Sequence, residues 1–247
     1  MYFVRTDTLG GKEETHLKNL NTTGAEIQVF CDFDGTITKI DVIDYILSQL
    51  ADPAWTDIEQ QWLDGSLTSK ECLRKQISLL RGNGQDIQEL LSEVEIEKSF
   101  RSFSQWCISQ RIPLYIVSDG LDIVIKNILY RENITVDGIW SNWFIEGNEQ
   151  NKSSIAFPYT SEHPNMQCGI CKCKVLSHTA QNTFKVVIGD GYSDRCWVNN
   201  ADLVFAKAQL SEYCQNNSIK YIPFSTFDDI TEHMNKITAQ PEFIRKQ

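Results

Sequence analysis

Acidic residues follow two short apolar segments of the sequence, in positions where their carboxylates could bind a metal ion. Asp32 and Asp34 come directly after one apolar segment, and Asp190 and Asp194 come shortly after another. Buried parallel strands have this apolar character, and α/β proteins carry their sites at the carboxyl ends of such strands. A hard cation such as Mg²⁺ prefers oxygen ligands in octahedral geometry. The pattern therefore predicts a magnesium site formed by acids from two loops.

A third polar group, Ser118, Asp119 and Gly120, follows the apolar segment Leu114–Val117. A serine hydroxyl and backbone N–H groups at a strand end can hold the oxygens of a phosphate group. Gly35 lies beside the first pair of acids and permits a close backbone approach. We therefore expect phosphate to bind between these groups.

Two of the candidate residues also have a simpler interpretation as helix caps. Ser118 and Asp194 each stand before a predicted helix, and both residue types accept hydrogen bonds from the first backbone N–H groups of helices. The same helix end can also bind phosphate. Both roles stay open for these two residues.

Apolar strand patterns alternate with helical patterns along most of the chain. The predicted strands are 26–33, 113–117, 185–188, 202–205 and 221–223, with a further apolar segment at 138–144 and a polar irregular stretch at 145–167. Helical spacing covers 41–111, including 55–63, 69–80 and 86–93, and returns at 121–130 and near residue 171. Such alternation predicts an α/β fold with a parallel sheet covered by helices on both faces.

The long helical stretch between the first two predicted strands indicates an inserted domain. We divide the chain into a flexible N-terminal extension (1–24), a core domain (25–40 and 110–247) and a helical cap domain (41–109). A cap of this kind would close over the strand ends, expel water and select the substrate.

The order of these groups resembles the haloacid dehalogenase (HAD) superfamily of phosphatases. The superfamily's DxDGT signature matches Asp32–Thr36, its second motif matches Ser118, and its acidic fourth motif matches Gly189–Asp194. The third motif is a lysine, for which Lys172 is the best candidate and Lys174 the competitor. The resemblance implies a Rossmann-like HAD core and, from the position of the insert, a C1-type cap as in the phosphoserine-phosphatase-like branch.

Within that branch the sequence is most similar to MtnX-type phosphatases, which act on 2-hydroxy-3-keto-5-methylthiopentenyl-1-phosphate in methionine salvage. The chain differs from them in having Asp119 where they tend to have Gly, and Gly191 where they tend to have Ser. The similar stretches are Phe30–Thr38, Cys168–Lys172, Ala201–Lys207 and Pro223–Phe227.

The resemblance implies a role for each motif residue. Asp32 would attack phosphorus and become an aspartyl-phosphate, and Asp34 would protonate the leaving group and then activate water. Mg²⁺ would bind the Asp32 side chain, the Asp34 backbone carbonyl and Asp190, with Asp194 orienting a metal-bound water.

Charge on the phosphate oxygens would be stabilised by Ser118 and Lys172, with Asp119 and Gly120 completing the phosphate site. Phosphoserine, phosphocholine and phosphoethanolamine are the alternative substrates. Transfer of the phosphoryl group to a second alcohol is the alternative reaction on the same aspartyl-phosphate.

Three cysteines surround the candidate lysine, so a zinc site is an alternative function for that segment. Cys168, Cys171 and Cys173 could bind zinc together with His163 or His178. In that case the chain would be a zinc-stabilised binding module. The cysteines overlap the lysine motif, however, and the intact acids argue for catalysis, so we predict no stoichiometric zinc.

Composition excludes several classes of partner. The 247-residue chain has a formal net charge of −10 and no basic stripe, which argues against nucleic-acid binding. No run of about 18 apolar residues indicates a membrane span, and the polar residues 1–24 lack the apolar stretch of a secretory signal. With eight cysteines expected to be reduced, we predict a cytoplasmic enzyme for a small phosphorylated metabolite. Nothing in the pattern indicates the oligomeric state.

Overall fold

The structure, a computed structural model, describes residues 26–148, 152–161, 168–179 and 182–239. The predicted flexible extension at 1–24 lies outside these residues. The strands are β1 (Glu26–Cys31), β2 (Leu114–Leu121), β3 (Gly138–Ile145), β4 (Ser154–Ala156), β5 (Thr183–Gly189), β6 (Leu203–Ala206) and β7 (Ile222–Pro223). The α-helices are α1 (Val42–Leu50), α2 (Trp55–Leu63), α3 (Ser69–Ile77), α4 (Gly84–Leu90), α5 (Phe100–Gln110), α6 (Asp122–Arg131), α7 (Lys172–Ser177), α8 (Ala208–Asn216) and α9 (Phe227–Thr238).

The strands form one sheet in the order β4-β3-β2-β1-β5-β6-β7, and the predicted α/β fold with a largely parallel sheet is confirmed. The first strand, β1, lies between β2 and β5 and pairs with both in parallel. The carboxyl ends of these three strands therefore meet at one edge of the sheet. All three polar groups singled out in the sequence lie at or just beyond that edge.

Both faces of the sheet are buried, which explains why its central strands are apolar without alternation. Successive side chains of a strand point to opposite faces. In β1, Val29 and Cys31 pack in one hydrophobic cluster, whereas Phe30 packs in the other, with Trp197 and Val187. None of the three β1 side chains is exposed to solvent.

The inserted helices α1 to α4 lie between β1 and β2 in the sequence, as the helical spacing predicts. The last helix of the predicted cap, α5, instead packs against α9, where Phe100 and Phe103 meet Phe227. The division into core and cap remains a proposal, and this packing favours ending the cap before α5.

Two elements differ from the sequence prediction. The second strand continues beyond Val117 to Leu121, and its register against β3 shifts between those residues, so a local irregularity carries Ser118 within the strand. The stretch predicted as irregular contains β4, which pairs antiparallel with the end of β3. A three-residue edge strand has no periodicity that could mark it in the sequence.

No helix among the described residues is long and apolar enough to cross a membrane.

Candidate active site

Asp32 directly follows β1 at the carboxyl end of the sheet, where the residue is 5% exposed to solvent. The Lys172 Nζ lies 2.7 Å from Asp32 Oδ1. Burial, with the nearby charge of Asp194, raises the pKa of the Asp32 carboxyl well above its ordinary value, and the Lys172 ammonium opposes this. Asp32 thus faces the interior of the site with one oxygen already held by a cation.

The turn after Asp32 brings β1 against the loop that follows β5. Gly35 has φ +70°, and a Cβ at this position would lie 2.5 Å from Asp190 Oδ2. Glycine is therefore required both by the left-handed backbone and by the close approach. Next to it, the buried Thr36 hydroxyl donates to Asp190 Oδ1 over 2.6 Å.

Asp32, Asp190 and Asp194 each offer a carboxylate oxygen, and these oxygens lie within 4.8 Å of one another. Within the part of the chain that the structure describes, this is the group of acidic, histidine or cysteine side chains that meets the spacing of a metal site. Burial, with the nearby charge of Asp194, raises the pKa of Asp190 as well as that of Asp32. A set of hard oxygen donors that needs a cation fits Mg²⁺.

Asp194 is fully buried and has both oxygens engaged by the protein. Its Oδ1 is 2.8 Å from Lys172 Nζ, and its Oδ2 accepts from the backbone N–H groups of Asp190 and Gly191, each over 3.0 Å. These contacts favour Asp194 as the residue that holds the Asp190 loop and the lysine in place. Its predicted contact with a metal-bound water stays a prediction.

The structure brings Lys172, and not Lys174, to the acids. The Lys172 side chain is fully buried and its ammonium also lies 4.9 Å from the centre of the Trp197 ring. Burial disfavours the charged lysine, but Asp194, Asp32 and Asp119 together outweigh it and raise its pKa. Lys174 Nζ instead lies 3.5 Å from the Thr160 carbonyl oxygen.

Asp34 lies between the core and the first inserted helix. Its Oδ1 accepts from the Val42 N–H over 3.0 Å, and its Oδ2 accepts from the Ser118 hydroxyl over 3.2 Å. Burial, with a further contribution from the Asp41 carboxylate, raises the pKa of Asp34 to about 8. A carboxyl with this pKa is largely protonated at neutral pH and can donate a proton.

The predicted phosphate site lies beside Asp34. Ser118 is buried, and its hydroxyl oxygen accepts from the Gly120 N–H over 2.9 Å. The Asp119 carboxylate accepts from the Ile170 N–H over 2.5 Å, so its side chain contacts the segment before Lys172. Ser118, Asp119 and Gly120 line the same cavity. Their contacts with phosphate remain a prediction.

Comparison with known proteins decides the family. No family model matches the chain. A 2-hydroxy-3-keto-5-methylthiopentenyl-1-phosphate phosphatase of Bacillus thuringiensis subsp. konkukian (strain 97-27) is 33% identical over 215 residues, which are 85% of this chain and 97% of the relative. The phosphatase of the same description from Geobacillus thermodenitrificans (strain NG80-2) is 33% identical over 220 residues, covering 86% of this chain and 97% of the relative.

The chain belongs to the MtnX-type phosphatase family of the HAD superfamily. The predicted resemblance is thereby confirmed, and the chain is a phosphatase. Solved structures agree on the fold. A phospho-aspartyl intermediate analogue of phosphoserine phosphatase superposes with a TM-score of 0.63 at 17% identity, covering 85% of this chain and 99% of that one. A phosphoserine phosphatase from T. onnurineus gives a TM-score of 0.63 at 14% identity, covering 87% and 96%.

A cavity of about 330 Å³ connects the acids of this MtnX-type phosphatase to its inserted helices. Beyond Asp34 its wall contains Trp62, Leu73 and Gln76 together with the carboxylates of Asp44 and Glu59. The Trp62 ring meets the edge of Tyr192, in the loop after Asp190, with 6.0 Å between ring centres. The inserted helices therefore form one side of the cavity, as expected of a cap.

Sequence reasoning missed Lys207 in this phosphatase. Its Nζ donates to the Thr36 carbonyl oxygen over 3.3 Å and lies 5.3 Å from the centre of the Phe224 ring. Lys207 directly follows β6, so the rule that polar residues follow buried strands could have found it. Its ammonium supports the turn that follows Asp32 and Asp34.

Among the described residues, the cysteines near Lys172 do not form a group with the spacing of a metal site. The Sγ atoms of Cys171 and Cys173 are 3.3 Å apart. His178 Nδ1 donates to the Lys174 carbonyl oxygen over 2.6 Å, and His163 lies outside the described residues. The absence of stoichiometric zinc remains a prediction.

Proposed function

We propose that this chain is a Mg²⁺-dependent phosphomonoester hydrolase that forms an aspartyl-phosphate on Asp32. One observation carries the proposal. The Asp32 carboxylate lies 2.7 Å from the Lys172 ammonium and within 4.8 Å of the Asp190 and Asp194 oxygens. A nucleophile in contact with a buried ammonium and a cation-binding group is suited to attack an anionic phosphate.

In the first step Asp32 attacks phosphorus in line and forms an acyl phosphate as the ester oxygen leaves. Lys172 stabilises the negative charge on the transferring oxygens from a site that excludes water. The Ser118 hydroxyl, which lies 3.2 Å from Asp34 Oδ2, holds a second phosphate oxygen. Splitting hydrolysis into two steps makes each step easier.

Asp34 donates its proton to the leaving oxygen in the first step and accepts a proton from water in the second. Its raised pKa, about 8, supports the first role, and its hydrogen bond to the Val42 N–H ties it to the helix that begins the cap. The same carboxyl therefore serves both steps.

Asp32, Asp190 and the Asp34 backbone carbonyl are the residues that would hold Mg²⁺, with Asp194 orienting the loop. A bound Mg²⁺ would screen the anionic nucleophile from the anionic phosphate. The Thr36 hydroxyl, which holds Asp190 Oδ1, leaves Asp190 Oδ2 for this purpose.

For the substrate we propose the compound in the relatives' description, 2-hydroxy-3-keto-5-methylthiopentenyl-1-phosphate. Its hydroxyl can donate to the Asp44 or Glu59 carboxylate, and its methylthio group suits Trp62 and Leu73. Phosphoserine is the weaker candidate, because its carboxylate would meet the same acids, and Lys39, which also lines the cavity, is already paired with Glu95. An ammonium substrate such as phosphocholine or phosphoethanolamine is the stronger competitor.

The alternative acceptor in the second step is an alcohol, which would make the enzyme a phosphotransferase. If the chain were instead a zinc-stabilised binding module, its functional site would be formed by cysteine thiols and not by the acids. We also propose a cytoplasmic location, which the eight unpaired thiols support.

The test is a screen of phosphorylated metabolites with and without Mg²⁺, ranked by kcat/KM, together with acid-quenched mass spectrometry of a single turnover. We expect Mg²⁺-dependent release of phosphate and one phosphoryl group on the peptide that contains Asp32. The variant Asp32→Asn should lose both while keeping its circular dichroism spectrum. Turnover by folded Asp32→Asn, or no turnover of any phosphate ester by the wild type, would refute the proposal.

A further inference from the structure

We propose that Asp119 is a positioning residue that holds the segment Cys168–Cys171 where it allows Lys172 to reach Asp32. Its carboxylate Oδ1 accepts from the Ile170 N–H over 2.5 Å. A hydrogen bond to a charged acceptor is shorter and stronger than a neutral one. It joins the end of β2 to a segment 51 residues further along the chain.

The segment lies against Asp119 so closely that only glycine fits at the contact. A Cβ on Gly169 would lie 2.5 Å from Asp119 Oδ1 and 3.0 Å from Asn142 Nδ2. Asn142 is buried and donates from its side chain to the Asp119 carbonyl oxygen over 2.7 Å. Asn142 of β3 therefore holds Asp119 on one side, and Asp119 holds Ile170 on the other.

Lys172 begins α7 two residues after Ile170, so the position of Ile170 sets the start of that helix. The helix is only six residues long and has no side-chain cap at its first turn. Isolated helices of this length are not stable by themselves. The Lys172 ammonium must nevertheless meet Asp32 and Asp194 at 2.7 and 2.8 Å, and contacts outside α7 have to provide this accuracy.

The contact also explains why a carboxylate is tolerated beside the predicted phosphate site. Asp119 directs one oxygen to a backbone N–H. Burial raises the pKa of its carboxyl, and the Lys172 ammonium is the main charge that opposes this. The carboxylate oxygen that accepts from the Ile170 N–H is therefore engaged by the protein and not by the substrate. This role is distinct from the backbone phosphate contact that the sequence predicts for the same residue.

The experiment compares Asp119→Ala, Asp119→Asn and a matched control, Asp137→Ala. Asp137 accepts from the Leu114 N–H over 2.9 Å at the start of β2, whereas Asp119 lies near the end of that strand. Asp137 is also far from Lys172 in the chain. Hydrogen exchange of the peptide covering residues 168–175 is measured in the intact protein. Asp119→Ala should speed exchange there by about tenfold or more, as loss of a charge-assisted bond predicts, and Asp137→Ala should not.

The kinetic arm rests on the proposed phosphatase activity. Asp119→Ala should lower kcat by about 100-fold with KM nearly unchanged, since a displaced catalytic group costs about that much. Asp119→Asn keeps an oxygen acceptor for Ile170 and should recover at least about tenfold of the loss. If Asp119 merely stabilised the fold, Asp119→Ala would not lower kcat at nearly unchanged KM, and Asp119→Asn would not restore kcat.

The two arms separate the inference from the proposed function. Unchanged exchange in Asp119→Ala overturns the inference whatever the activity. Faster exchange with unchanged kcat in an active enzyme also overturns it, and a rise in KM alone assigns Asp119 to substrate binding instead. If the wild type turns over no phosphate ester, the proposed function fails, and exchange alone decides whether Asp119 holds this segment.

Discussion

Asp34 illustrates how neighbouring residues set the chemistry of a single side chain. It is bonded to a core serine and to the first N–H of the cap, and burial raises its pKa to about 8. Burial also raises the pKa of Asp32, two residues earlier, but its carboxylate contacts the Lys172 ammonium, which favours the ionised form. Two carboxyls of the same turn therefore have environments suited to different roles, one as nucleophile and one as acid.

We expect Asp34→Asn to slow alkyl phosphates far more than p-nitrophenyl phosphate. An alkoxide needs a proton to leave, whereas p-nitrophenolate is a stable anion, and general acid catalysis is worth about 10²–10⁴-fold. Release of the first product is measured in single turnovers at saturating Mg²⁺. Equal slowing of both substrates in that step would show that Asp34 is not the acid.

Asp44 provides a pH-dependent prediction that does not depend on activity. Burial, with the charges of Asp41 and Glu59, raises its pKa from 3.8 to about 7. The folded protein then binds this proton more tightly than the unfolded chain, so the contribution of Asp44 to stability falls as pH rises from about 4 to about 7. The variant Asp44→Asn should gain stability relative to wild type across that interval.

Urea unfolding at several pH values measures this difference. Asp64→Asn is the control of opposite sign, because hydrogen bonds from Ser66 lower the pKa of Asp64. That variant should lose stability relative to wild type as pH rises toward about 4, and its difference from wild type should stay nearly constant from about pH 5 to about pH 8. A constant difference between wild type and Asp44→Asn from pH 4 to pH 8 would contradict the prediction.

At the scale of elements, the candidate active-site residues lie where three parallel strands end together. The carboxyl ends of β1, β2 and β5 meet at one edge. The connections after β1 and β5 supply the acids, and β2 itself supplies the serine. The turn at Gly35 matters because it carries the backbone of one loop onto the carboxylate of another.

Gly35→Ala should therefore weaken Mg²⁺ activation by about tenfold or more and lower stability. The added Cβ is 2.5 Å from Asp190 Oδ2, and the left-handed backbone costs an alanine about 1–2 kcal/mol. Gly65→Ala is the matched control, with φ +82° and nothing within 4 Å of the added Cβ. Activity titrated with Mg²⁺ and denaturant unfolding are compared, and similar Mg²⁺ dependence in both variants would contradict a specific effect on Asp190.

At the scale of the whole molecule, the inserted helices and the core share one cavity. The helix α2 presents Trp62 to the cavity and to Tyr192 of the core loop, while Trp55 at its other end packs in the hydrophobic cluster. The same helix thus has one tryptophan that meets the site and one that supports the fold.

Trp62→Ala should lower kcat/KM for the metabolite substrate by about tenfold, the effect of losing roughly 1.4 kcal/mol of aromatic contact. Trp55→Ala should lower the free energy of unfolding without changing KM at a temperature where it is folded. Steady-state kinetics and thermal unfolding of both variants distinguish the two roles. A cap that does not contact substrate would leave Trp62→Ala with wild-type KM.

The sequence by itself determined the α/β fold class, the order along the chain of the strands that carry the motifs, and the family. These follow from short-range patterns: a buried parallel strand is a run of apolar residues, and Asp32, Ser118 and Asp190 stand at fixed offsets from such runs. The predicted helix at 55–63 was confirmed to the residue. Its amphipathic spacing is local information that the chain carries without its partners.

Only the tertiary structure decided which lysine meets the acids, because Lys172 and Lys174 are two residues apart and differ only in the direction they take from a short helix. The partners of Asp194 and Asp119, and the strand β4, were likewise undecided. Each depends on contacts between residues far apart in the chain, such as Asp119 with Ile170, whose distance follows from the packing of β2 and β3 and not from any local pattern. Hydrogen-bond partners at a strand end are chosen when whole elements pack, so sequence spacing can name the residues of this site but not their contacts.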